Sequence, residues 1–392
     1  MSGPFLLFAS IVGLLSSSAY LILVLRAAAR FRSSQTTSDC STTAPPAVSV
    51  LKPLHGVEPL LEKNLESFFR QDYPDFEIIF GVRDRSDPAL TVVESLQKKY
   101  PHIKTTVVLS GEPAYPNAKV FALEKMLAEA SASYLVIADS DAGVKPDCLK
   151  EVVLPLTDPR VGVVSCLYRG VGVGGVWSQL EALGMSVEMS SGVLVAEMLE
   201  GMKFALGPTM ATRKDVLDLI GGIGTLAEYC ADDYLLGFRA YEAGKKVVLS
   251  RYVIQHVATS TAAKPSLAHQ VRWMRSTRFS RPAGHAGTGL TYAMPFGLLG
   301  LAAGWSTHHW GLGIALFGWA FLNRVVQSIA AGWGVLGDTQ ALRLCWLYPV
   351  RDLLGFFVWC ASYAGTEIVW RGTRYQLSKG GKMTRVTSSR PV

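Results

Sequence analysis

The first 25 residues carry no Asp, Glu, Lys or Arg. As a helix, the run from Pro4 to Leu25 would be about 33 Å long, enough to cross a ~30 Å hydrocarbon core. Such a stretch is either a membrane anchor or a signal peptide that is cut away. A cleaved signal has a basic start and an apolar core of only ~7–15 residues. Here the start is uncharged and the core is longer, although Ala27-Ala28-Ala29 imitates a cleavage site. Residues 1–27 therefore read as an anchor. Arg26, Arg30 and Arg32 follow it, and the positive-inside rule then leaves the N-terminus outside and the next segment in the cytoplasm.

A second uncharged tract runs from Pro282 to Asn323, 42 residues. It is long enough for two crossings of ~20 residues with a turn near His308-His309. A third apolar stretch, Trp346 to Trp370, has an uncharged core of only 14 residues, Leu353 to Thr366, as expected of a partial or interfacial segment. The basic end of the chain (Arg371, Arg374, Lys379, Lys382, Arg385) reads as a cytoplasmic tail, 371–392. The membrane helices are expected within 287–370, and the protein as multi-pass with its polar domain on the cytoplasmic face.

Composition supports that division. Charged residues are 18%, below the ~25% of soluble domains. With 49% hydrophobic residues the chain is not disordered. Six Cys without a CxxC pair exclude a disulfide scaffold. A transporter made only of spans does not fit the polar middle, and nothing points to nucleic acid. Residues 28–47, with the run SSQTTSDCSTTAPPA, read as a flexible linker.

Residues 48–286 read as one α/β domain. Apolar, β-branched runs (Val48–Leu51, Phe76–Val82, Thr105–Leu109, Tyr134–Ala138, Val161–Cys166) alternate with helical spacing at 60–69, 88–99 and 119–130. That alternation predicts a mostly parallel sheet with helices on both faces. Ligands of such sheets bind beyond the carboxyl ends of the strands, and Asp84, Asp139 and Asp141 fall there.

Asp139-Ser140-Asp141 is the only Asp-x-Asp in the chain. Two carboxylates at a strand end can grip a hard divalent cation that also bridges a diphosphate; alternatively they are solvated loop acids. Asp84 is placed to hydrogen-bond a base or ribose, or else caps a helix, a task for which Asp87 is better placed. Asp232-Asp233 precedes an apolar run. One of two adjacent acids, if buried, has a raised pKa suited to a general base; the alternative is helix capping with Tyr234 as the first helical residue. His269-Gln270-Val271-Arg272-Trp273 lies just before the membrane tract, on a basic amphipathic helix suited to a bilayer surface. Arg272 and Trp273 there can stabilise a leaving diphosphate and pack beneath the acceptor, or simply flank the membrane. Lys52 and Lys119 are candidate diphosphate or uracil contacts, or else surface charge. The Gly170–Gly175 stretch matches no phosphate-binding pattern.

The order Asp84, Asp139-x-Asp141, Asp232-Asp233, Arg272-Trp273, membrane resembles the D, DxD, D, (Q/R)xxRW series of membrane-bound family 2-like glycosyltransferases. VSVLKPLHGVEP, SFFRQDYPDFEIIFGVRDRSDPAL, VIADSDAGVKPD, RKDVLDLIGG, AEYCADDYLLG and WRGTRYQLSKGG are similar to the ceramide glucosyltransferase family, glycosyltransferase family 21. They also resemble bacterial hopanoid N-acetylglucosaminyl transferases. The likeness extends from Val48 to Gly381. It implies a GT-A, Rossmann-like fold with Asp84 on the uridine of a UDP-sugar. It implies Asp141 and Asp139 on Mg2+ or Mn2+, Asp233 as general base beside Asp232, and Arg272 and Trp273 at the donor and leaving group. Lys52 matches the family's Lys-Pro-Leu, and Lys119 aligns loosely with its Asn-Pro-Lys. One departure stands out: His269 occupies the place of Gln or Arg.

The resemblance thus implies a membrane-bound inverting hexosyltransferase. It would move a sugar, most simply glucose from UDP-glucose, onto the primary hydroxyl of a bilayer lipid such as ceramide. Transfer of N-acetylglucosamine to a hopanoid, a processive polysaccharide synthase and an inactive scaffold are the alternatives. The last two sit poorly with few spans and with intact acids.

Overall fold

The computed structural model describes residues 3–33 and 44–386. Half of the expected linker, 34–43, lies outside the described residues; the N-terminal helix itself continues through its first residues, to Ser33. The chain forms two compact units, each assembled from separated segments, where the sequence reading drew continuous ones. One comprises Thr36–Tyr168, Glu200–Thr259 and Val369–Val392. The other comprises Met1–Gln35, Arg169–Leu199 and Ser260–Ile368.

The first unit is built on a sheet of eight strands: β1 (Val48–Pro53), β2 (Phe76–Val82), β3 (Lys104–Leu109), β4 (Tyr134–Ala138), β5 (Ala142–Gly143), β6 (Val161–Gly172), β7 (Thr209–Arg213) and β8 (Lys246–Ala258). Their spatial order is β3-β2-β1-β4-β7-β6-β8-β5. β1 lies between β2 and β4, parallel to both. Covered on both faces, it buries every residue from Val48 to Lys52, the polar Ser49 and Lys52 included. β3, at the edge, has only exposed and half-buried residues. Helices Leu61–Phe69, Ala89–Lys99 and Ala118–Glu129 fall where the helical spacing placed them.

The expectation of a mostly parallel sheet holds for β1–β4 and fails beyond them. β7 runs antiparallel to β4, with Tyr134 opposite Arg213, and β6 runs antiparallel to β7. The antiparallel half depends on pairing between segments some 50 to 80 residues apart in sequence, which no local pattern reveals. The tail differs too. It folds into a three-stranded sheet of β9 (Glu367–Trp370), β10 (Thr373–Ser378) and β11 (Lys382–Arg385), in the order β11-β10-β9. The five described cysteines are all free.

The second unit is helical. Among the described residues, three helices are long and apolar enough to cross a membrane: Gly3–Ser33, Val176–Glu200 and Trp310–Trp333. The first was expected. The third is the latter half of the 282–323 tract, extended past Arg324, and the turn before it falls at His308 (φ 59°) and His309. The former half is no single crossing, because it is divided into Pro282–Thr288 and Met294–Ser306. The segment around 346–370 holds a helix of 15 residues, Tyr348–Ser362, short of a span. Val176–Glu200 was not anticipated.

Small residues let these helices meet closely, as packing in lipid requires. A Cβ on Gly297 would lie 2.6 Å from that of Ala320, and one on Gly304 would lie 2.8 Å from the Cα of Gly313. Around this seam Leu14, Ala293, Met294, Leu316 and Ala320 form a buried cluster. Its polar counterpart is an ion pair. Arg324 Nη1 lies 3.1 Å from Asp352 Oδ1, and both side chains are 2% exposed. Asp352 Oδ2 accepts from the amides of Ala293 and Met294 at 3.0 and 2.8 Å, satisfying donors at the start of the helix from Met294.

Removing one partner of a buried pair strands the other charge, which typically costs about 3–5 kcal/mol. Asp352→Ala should therefore lower the unfolding midpoint of the detergent-solubilised protein sharply, whereas Arg324→Leu combined with Asp352→Leu should recover most of the loss. A thermal melt of the three proteins checks this, and a double variant no better than Asp352→Ala would contradict it.

Candidate active site

The acids converge at the carboxyl end of β4. Asp139 is the first residue after the strand. Its amide donates to the Pro208 carbonyl at 3.0 Å and its carbonyl accepts from Ala142 N at 3.2 Å, which closes a tight turn. Lys52, at the end of β1, donates from Nζ to the Asp139 carbonyl at 2.5 Å. Its ammonium also stands 4.1 Å from the centre of the Phe68 ring.

Lys52 is fully buried. Burial brings its pKa down to about 7, with Asp139 and Asp141 resisting. The sequence reading cast Lys52 as a substrate contact; here its ammonium faces the protein interior and steadies the turn instead. The isolated Lys-Pro-Leu offered no way to see that, because the carbonyl it holds is 87 residues away.

Lys119 is the hub. It sits in the first turn of helix Ala118–Glu129, whose N-cap Asn117 accepts from Val120 N. Lys119 Nζ is 2.6 Å from Asp139 Oδ1 and 3.8 Å from Asp232 Oδ2. Asn117 Nδ2 donates to Asp232 Oδ1 at 3.2 Å and to the Tyr229 carbonyl at 2.9 Å. Burial opposes the charge on Lys119, but Asp139 and Asp232 outweigh it and raise the pKa. Asn117 was not singled out from the sequence, although it stands two residues before Lys119 at a helix start.

Asp141 is held differently. Its carbonyl accepts from Val257 N at 3.1 Å. β5, which begins at the next residue, pairs with β8 so that Ala142 faces His256. His256 Nε2 thereby comes to 2.9 Å from Asp141 Oδ2. Burial alone would raise the Asp141 carboxyl, but His256, Lys52 and Lys119 turn the shift downward. Asp141 Oδ1 is buried without a hydrogen-bond partner. An acceptor left so is what a hard cation would satisfy. Among the described residues no group of three His, Cys, Asp or Glu is arranged to hold a metal by itself. That agrees with Mg2+-type sites, which use one or two carboxylates with substrate phosphates and water. His256 was missed because only the β5–β8 register, across 114 residues, delivers it.

Asp232 and Asp233 open helix Asp232–Glu242, with Ala231 at the N-cap; the helix begins two residues before Tyr234 and neither acid is its N-cap. Asp232 is buried and tied to Lys119 and Asn117. Asp233 is half-buried, and burial, then the charge of Asp232, push its pKa up to about 6 against the pull of Lys119. Two glycines fix its place. A Cβ on Gly237 would meet the backbone at Ala205 at 2.3 Å, so the helix rests directly on that segment. Nearby, a Cβ on Gly207 would lie 2.9 Å from Asp233 Oδ2.

Asp84 is not drawn into this cluster. It is exposed beyond β2 and accepts from Ser86 N at 2.8 Å and from the Ser86 hydroxyl, which hold its pKa low. Asp87, as its position implied, serves the helix start by accepting from Ala89 N at 2.9 Å. A cleft of about 450 Å³ opens at the ends of β1 and β2, with Leu54, Val82, Arg83, Tyr115 and Lys119 in its wall. The remaining candidates lie in helix Ala263–Ser280 of the helical unit. There His269 Nδ1 is 2.7 Å from Oε1 of buried Glu181, and its ring lies 4.3 Å from that of Trp273. Arg272 and Trp273 are half-buried on the same helix.

Comparison with known proteins fits this geometry. The chain is 26% identical over 357 residues to ceramide glucosyltransferase 1 of Caenorhabditis elegans, covering 88% of this chain and 75% of that protein. It is 25% identical over 349 residues to ceramide glucosyltransferase 3 of the same organism, covering 86% and 74%. Among solved structures, the mannosyltransferase PcManGT from Pyrobaculum calidifontis, in complex with GDP-Man and Mn2+, matches with a TM-score of 0.55 at 20% identity. That match covers 91% of this chain and 99% of the other, and it shows the fold, GT-A. The Glycosyl transferase family 21 model matches residues 9–383. The chain is thus a hexosyltransferase and belongs to glycosyl transferase family 21.

Proposed function

We propose that the protein transfers one hexose, with inversion, from a UDP-sugar to the primary hydroxyl of a membrane lipid. UDP-glucose and ceramide are the substrates we favour. The names of its relatives support donor and acceptor. The observation that carries the chemistry is Asp233, a carboxylate with a pKa near 6, in the same unit as the Asp139–Asp141 turn.

In this reading Asp233 takes the proton of the acceptor hydroxyl as its oxygen bonds to the anomeric carbon. The bond from that carbon to the diphosphate oxygen breaks, and UDP leaves with the electron pair. A base whose pKa lies near the working pH combines availability with driving force. Asp141 and Asp139 would hold Mg2+ or Mn2+, which when bound offsets the charge of the diphosphate; PcManGT is in complex with both GDP-Man and Mn2+. Lys119 keeps Asp139 and Asp232 in register. Lys52 holds the turn from beneath, and Asp84 is assigned to the uridine. The parts given to Arg272 and Trp273, at the donor and leaving group, and to His269 beside them, rest on the motif.

The membrane location agrees with three helices able to cross a bilayer. We place the sheet-bearing unit on the cytoplasmic side because arginines close the first helix.

Asp233→Asn should cut transfer ~10²–10⁴-fold, the usual worth of a general base, while UDP still binds. Mass spectrometry of ceramide incubated with UDP-glucose reads the product as a single added hexose. Undiminished transfer would remove Asp233 from the role, and a ladder of sugars would make the enzyme a polymerase. The base must be ionised, so kcat/KM should climb with pH up to about 6 and level off above it. A profile flat from pH 4.5 to 8 would contradict the assignment. Gly207→Ala, which crowds Asp233 Oδ2, should lower kcat at least 10-fold with the UDP Kd unchanged; equal loss of both would point to a folding defect.

A further inference from the structure

The end of the chain is stitched into the sheet-bearing unit. β10 and β11 pair antiparallel, from Tyr375 opposite Arg385 to Ser378 opposite Lys382. The segment just before Asp232 is tied to β11: Met383 N donates to the Glu228 carbonyl at 2.7 Å and Cys230 N donates to the Gly381 carbonyl at 3.0 Å. Lys382 Nζ adds an ion pair to Glu228 at 2.8 Å.

Only Arg371 and Gly372 separate β9 from β10, with φ of 48° and 78°. Two positive φ values in a two-residue hairpin are those of a type I′ turn, which favours Asn-Gly or Gly-Gly. An arginine in the left-handed region costs roughly 1–2 kcal/mol. Strain of this kind gathers at ligand sites, and this turn lines a cleft.

Trp370, Arg371, Tyr375 and Arg385 line the same 450 Å³ cleft as Arg83 and Lys119. Arg83 is paired with Glu112, and Lys119 with Asp139. Arg371 and Arg385 make no ion pair among the described residues. The Arg371 side chain is exposed, and the charges of Asp139, Glu58 and Asp87 act on it. The cleft therefore has a guanidinium with no direct ion pair among the described residues, within reach of the charge of Asp139.

We propose that the Arg371-Gly372 turn is the outer wall of the donor cleft, and that the Arg371 guanidinium binds the diphosphate of the nucleotide sugar. This rests on the reading of the donor as a nucleoside diphosphate sugar. A guanidinium meets two phosphate oxygens at once, and the left-handed turn presents it without a long loop. The tail is then part of the binding site.

The test uses the full-length protein in detergent with Mn2+ and two probes, UDP and uridine, which differ by the diphosphate. Arg371→Gly removes the guanidinium and relieves the turn, so its melting temperature should equal or exceed that of the wild type. Its Kd for UDP should rise at least 10-fold with uridine binding unchanged, and Arg371→Lys should recover part of the loss. Unchanged UDP affinity in Arg371→Gly, or equal loss of UDP and uridine, overturns the proposal. Wild-type protein that binds no UDP at all overturns the donor reading, and this proposal with it.

Discussion

One ammonium group holds the candidate active site together. Lys119 stands 2.6 Å from Asp139 and 3.8 Å from Asp232, and so joins the end of β4 to the start of the helix that carries Asp233. Three carboxylates gathered in a largely buried space would repel one another and take up protons. The cation keeps Asp139 and Asp232 in place, while Asp233 receives only part of its influence. In the proposed mechanism that inequality separates their tasks: a compensated acid suits an electrostatic anchor, and a poorly compensated one suits a base.

The helical unit solves a related problem with different means. Apolar contact alone does not discriminate between helices in lipid, so close approach through glycine and a few buried polar contacts set their arrangement. Arg324 with Asp352 is one such contact. Arg351 with Glu188 at 2.8 Å is another, as is His269 with Glu181. Each joins segments distant in sequence, and each gives the unit a defined packing that greasy surfaces would not impose.

These distant pairings also explain what could be read in the sequence. The strands through β4 were legible because β-branched and apolar residues cluster in them, most densely in the buried β1, β2 and β4. Asp139, Asp141 and Asp233 were legible because each follows or precedes such a run. Lys119 was visible only as an isolated lysine, since its worth comes from acids that reach it through the fold. His256 was invisible, because the register of β5 on β8 produces its contact with Asp141. Helix Val176–Glu200 was overlooked because Glu181 and Glu188 interrupt its apolar character, and their partners, His269 and Arg351, lie far along the chain. The tail read only as basic because its strands are short and polar; their pairing and the backbone bonds to Glu228 and Cys230 supply the order.

The central claim is that the Asp139–Asp141 turn receives a divalent ion and a nucleoside diphosphate together. Anomalous diffraction at the manganese edge, from crystals grown with Mn2+ and UDP, addresses it directly. The account predicts one strong peak within bonding distance of the vacant Asp141 oxygen and of the diphosphate. A peak elsewhere, or UDP bound with Asp141 still contacted by His256 alone, would contradict it.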